Sequence, residues 1–130
     1  MAGRGTRSTA EEVFSGSPRG LALFRAVERL LETLGPAAVP ADVRVRATTS
    51  QIAFRTRHGF AYAWWPGRYM RSTVPAVLSI ALHERLDSPR FKSEVQVSPG
   101  VWIHHLELHS EEDLDAEVAD WLRRARDEAG

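Results

Sequence analysis

The sequence predicts an α+β domain: an antiparallel sheet of about five strands, with N-terminal and C-terminal helices packed on one face. Three observations carry this. Leu23, Phe24, Val27, Leu30, Leu31 and Leu34 recur at helical spacing, the apolar period drops to two from Asp42 onward, and a capped helical stripe returns after Ser110. With 130 residues, 43% of them hydrophobic and 26% charged, the chain holds enough material for one core. That single domain is assigned to residues 9–128, and the basic, Gly-containing residues 1–8 are expected to be disordered.

A short helix is expected from Thr9, whose hydroxyl caps while Glu12 reaches back three residues, and it stops near Gly16. Ser17-Pro18 then opens the main N-terminal helix, and Gly35-Pro36 closes it. Val43, Val45 and Ala47 alternate with Arg44, Arg46 and Thr48, and Ile52 and Phe54 alternate with Ala53, Arg55 and Arg57. His58-Gly59 is read as a tight turn into Phe60, Tyr62 and Trp64. Val77–Leu82 is the fourth strand and Val101–His109 the last. Between them residues 83–100 read as irregular, with one helical turn at Ser88-Pro89 and half a hairpin at Val95 and Val97. Ser110 caps the final helix, Asp113 completes the box, and Leu114, Val118, Trp121, Leu122 and Ala125 form its buried stripe to Glu128.

Composition removes several chemistries. Without cysteine there is no disulfide framework, thiolate nucleophile or Cys-bound zinc. The longest apolar run, Phe60 to Pro66, is far short of the roughly 20 residues of a membrane helix. No secretory signal follows the basic start, so a soluble cytoplasmic protein is expected. The zero net charge hides an asymmetry: residues 1–75 hold 11 arginines against 5 acids, and residues 76–130 hold 6 bases against 12 acids. Mutual attraction of the two halves in the folded state is the expectation.

Period-two bookkeeping sorts the sheet into two faces. Ile52, Phe54, Phe60, Tyr62, Trp64, Leu78, Ile80, Leu82, Trp102, Leu106 and Leu108 fall on the helix side, with His104 as a hydrogen-bonded imidazole among them. The open side then has a floor of Ala53, Ala61, Ala63, Ser79 and Ala81, with Trp65 pointing the same way. Arg44, Arg46, Arg55, Arg57, Trp65 and His105 are the candidate binding residues, because guanidinium forks and a stacking ring together suit a flat anion. The corresponding partners are an anionic small molecule, a nucleic acid or a protein. His83, His105, Glu107 and His109 are a candidate metal set for a small hydrolase, although side chains two apart on a strand are about 7 Å distant. The alanine floor also admits a homodimer seam. No catalytic residue and no cofactor is assigned, since the nucleophile-elbow, phosphate-loop, dinucleotide and zinc-protease motifs are all missing from the sequence.

Gln51-Ile-Ala-Phe-Arg55, Phe60-Ala-Tyr62, Leu86-Asp-Ser-Pro-Arg-Phe91 and the run Trp102 to Asp115 resemble a bacterial family of domains of unknown function. Its members stand alone or as the C-terminal module of chains labelled predicted transport proteins. The resemblance covers nearly all of residues 11–128. It implies a small α+β domain of no established activity and carries no catalytic residue onto this chain.

Overall fold

The computed structural model describes residues 9–37 and 42–130; the expectation for residues 1–8 lies outside them. Thr9 opens helix α1 (Ala10–Val13) with both bonds of the capping box, and Ser17 opens α2 (Pro18–Glu32). The Ser17 hydroxyl accepts the Gly20 amide and donates to the Pro75 carbonyl, each at 3.0 Å. The cap therefore also pins the helix to the chain entering the sheet.

Six antiparallel strands form that sheet: β1 (Arg44–Ala47), β2 (Ile52–Arg55), β3 (Gly59–Trp64), β4 (Ala76–Leu82), β5 (Phe91–Ser98) and β6 (Val101–Leu108). Their spatial order is β1-β2-β3-β4-β6-β5. The segment expected to be irregular thus contains a full edge strand, β5. Only Phe91 of its eight residues is buried, and its register shifts at both ends, which erases the alternation by which strands are read. Gly100, at φ +73°, closes the turn into β6 in a conformation that suits glycine.

Helix α3 (Ala116–Glu128) starts later than the sequence predicts. Ser110 and Asp113 do form a capping box, but it closes one 3₁₀ turn, Glu111–Asp113. Asp115 is the real cap, accepting from the Val118 amide at 3.1 Å. The helix packs on β3 and β4, beside α2, and all the helices lie on one side of the sheet as predicted.

The core lies between these layers: Phe14, Phe24 and Phe54 stack in series, with Ile52, Leu78, Ile80, Leu82, Leu108, Val118 and Leu122 around them. Truncating one such fully buried aliphatic side chain to alanine typically costs about 2–5 kcal/mol. His104 is wholly buried here. Its Nδ1–H donates to the Ile80 carbonyl at 3.1 Å, and its Nε2 accepts from the Leu86 amide at 2.9 Å, so both ring nitrogens are satisfied.

One strand departs from the predicted faces. Phe54 pairs with Ala61 but Arg55 with Gly59, so Phe60 is an extra residue, a β-bulge. Phe60 and Ala61 both bury completely, and beyond them the alternation of β3 is inverted. Ala61 and Ala63 join the core, whereas Tyr62 and Trp64 project from the open face, cross-strand from Ser79 and Val77. Trp65, expected on the open face, follows the same inversion and packs against the core. Its indole fills the space above Gly16 and Gly67, where a Cβ on either glycine would collide with the ring.

Candidate functional site

The open face runs from the Arg44–Ala47 edge to the His105 strand. Pairing fixes its rows: Arg46, Ala53, Tyr62, Ser79 and His105 lie in line across β1, β2, β3, β4 and β6, and Trp64, Val77 and Glu107 form the neighbouring row. Arg44 and Arg55 pair across the first two strands. Of the six candidate binding residues, Arg44, Arg46, Arg55 and His105 therefore share this face. Trp65 does not, and Arg57 lies in the β2–β3 turn beside Gly130.

A polar chain locks the middle of the face. Trp64 Nε1–H donates to Ser79 Oγ at 2.9 Å, and Ser79 Oγ stands 2.7 Å from His105 Nδ1. The Ser79 hydroxyl accepts from the indole and shares a second hydrogen bond with the imidazole. Burial lowers the His105 pKa below its ordinary value, with His104 adding to the effect. The Trp64 ring meets His105 edge-on at 6.0 Å and Tyr69 at 6.4 Å, so three rings gather at one place. Sequence reasoning missed Tyr62, Trp64 and Tyr69. The first two are displaced by the bulge, for which a glycine at the head of a strand is the available signal.

The arginines of β1 and β2, like Arg19, Arg68 and Arg71, stand outside the ion pairs of the described residues. Arg25, Arg29, Arg85, Arg90, Arg123, Arg124 and Arg126 each have a carboxylate partner. Among the described residues Arg46, Arg55 and Arg57 have none within 4.0 Å, and Arg44 donates only to the Thr56 carbonyl, at 3.1 Å. Many acids of the second half pair with that half's own bases, as Glu94 with Arg85, Asp115 and Glu117 with Arg90, and Glu84 and Glu128 with Arg124. Arg29–Glu111 is the one ion pair within 4.0 Å that links the halves among the described residues.

The candidate metal ligands are dispersed. His105 is held by Ser79, and His109 Nε2 lies 3.5 Å from Glu107 Oε1. His83 is exposed at the far end of β4, four residues beyond Ser79, which is about 13 Å at strand rise. Among the described residues no three His, Asp or Glu side chains are grouped to hold a metal ion. The dimer seam imagined on alanines loses Ala61 and Ala63 to the core. No helix of the described residues is long and apolar enough to cross a membrane.

Residues 10–128 match the family described as a domain of unknown function, DUF5655. The chain belongs to that family. The match takes in all three helices and the whole sheet, so the open face of this DUF5655 domain is part of the family unit. No curated protein and no solved structure matches the chain.

Proposed function

We propose that this DUF5655 domain is a non-enzymatic binding module whose open sheet face takes an anionic ligand bearing a flat ring, of the nucleotide class. The observation behind the reading is the row of guanidinium groups without carboxylates, Arg44, Arg46 and Arg55, beside half-buried Tyr62 and Trp64. A surface arginine gains little from a neighbouring carboxylate, so leaving it unpaired costs little; three on one face concentrate positive potential. Phosphate oxygens suit the guanidinium fork, and Trp64, held by Ser79, offers a ring of fixed orientation for stacking. The Ser79–His105 pair serves here as the lock on Trp64: Ser79 is 3% exposed and is not placed to attack a substrate.

Titration of AMP and of a short thymidylate single strand, followed by tryptophan fluorescence at two salt concentrations, tests the reading. The expected result is binding that weakens with salt, and at least tenfold loss in the Arg44→Glu, Arg46→Glu double variant with circular dichroism unchanged. Equal affinity of wild type and double variant, or no binding of either probe by the wild type, overturns it.

A further inference from the structure

We infer that a cavity at the end of the sheet, where β2 turns into β3, is a binding subsite for the phosphate of a small phosphate monoester. It is a concavity of about 460 Å³ whose lining includes Arg55, His58, Gly59, Tyr62, His83 and Glu128. That volume falls in the range of small-molecule sites, as does the mixture of an apolar floor with a few polar groups.

Three features support a phosphate there. Gly59 pairs with Arg55 across the strands, and a Cβ on Gly59 would collide with the Tyr62 hydroxyl. The phenol therefore lies over Gly59, alongside the strand position of Arg55, in space that the missing side chain provides. Second, among the described residues the Tyr62 hydroxyl has no hydrogen-bond partner and Arg55 has no carboxylate, so two strong donors border one cavity unused. Third, the single acid in the lining is already engaged. Glu128 accepts from the His83 amide at 2.8 Å and from Arg124 Nε at 3.1 Å, so its carboxylate is turned to partners of its own. His58 is oriented by its Nδ1–H, which donates to the Ala129 carbonyl at 3.1 Å and leaves Nε2 as the ring's other polar atom. A phosphoryl group, with three acceptor oxygens, uses such donors from several elements better than a planar carboxylate does.

This inference shares Arg55 and Tyr62 with the proposed ligand face, and the test keeps the two apart by reading Gly59 and His83 for the cavity against Arg46 and Trp64 for the face. Phenyl phosphate is titrated into 15N-labelled full-length protein, with benzoate and inorganic phosphate as separate arms. The expected result is that phenyl phosphate moves the amide resonances of Gly59, Tyr62 and His83, and binds more tightly than benzoate. Tyr62→Phe, which keeps the ring, is expected to weaken it about fivefold or more, and Gly59→Ala to abolish it. Response to inorganic phosphate alone identifies a free-phosphate site of the same chemistry and upholds the subsite. Phenyl phosphate that shifts only Trp64 and Arg46 refutes the subsite while sparing the open-face reading. Unmoved resonances, or Tyr62→Phe binding with wild-type affinity, also refute it.

Discussion

Ser79 and His105 face each other across the neighbouring strands β4 and β6 with Oγ and Nδ1 2.7 Å apart, and Trp64 closes the chain by donating to the same hydroxyl. One short side chain thus satisfies an indole and an imidazole from strands on either side of it. Serine is suited to this because one hydroxyl oxygen can take part in two hydrogen bonds at once.

Ser79→Ala removes both bonds and strands two ring nitrogens on a half-buried surface. The expected loss is about 1–3 kcal/mol of unfolding free energy, measured by urea denaturation, with a change in Trp64 fluorescence. Ser79→Thr keeps the hydroxyl and is expected to retain most of the stability.

His105 gives stability a pH dependence of definite sign. Burial lowers its pKa in the folded state, so below the ordinary histidine value the unfolded chain binds the proton more readily. Its contribution is therefore complete above that value and is lost as pH falls through it toward the folded pKa. Thermal unfolding between about pH 8 and 5 is expected to show a smaller decline in His105→Gln than in wild type; parallel curves would contradict this.

Gly16 and Gly67 leave room for the Trp65 indole, and a methyl group at either position collides with it. Gly16→Ala is expected to cost about 1–3 kcal/mol through overpacking, read by chemical denaturation. The same change in a Trp65→Leu background is expected to cost much less, which is the mark of a direct collision.

Thr56 is 3% exposed and its hydroxyl has no partner among the described residues. Thr56→Val replaces that oxygen with a methyl group of similar size, and stability is expected to stay level or rise by up to about 1 kcal/mol. A substantial fall in melting temperature would show that the hydroxyl is bonded in solution.

Most of the architecture was legible because it rests on local rules: the caps at Thr9 and Ser17, the helical stripe of α2, and the alternation of Leu78, Ile80 and Leu82 in β4 all appear where expected. His104 was legible too, since its position in β6 placed it among apolar neighbours. Strand β5 was not, because an edge strand wet on both faces has no buried side to impose a pattern. Arg44, Arg46, Arg55 and His105 were assigned to the correct face from parity alone. Trp65, Tyr62 and Trp64 were not, because a bulge changes parity by one and depends on turn geometry rather than composition. The pocket at the sheet end draws on β2, β3, β4, β6 and α3, a convergence that only the tertiary fold produces.

The supernumerary Phe60 makes the β2–β3 connection a selector. Shortening that corner by one residue would leave the outline of the sheet intact while sending the tyrosine and tryptophan inward and bringing alanines to the surface. Among relatives sharing this architecture, corner length rather than the identity of any exposed residue would then separate chains that display aromatic rings from chains that display a bare, smooth sheet.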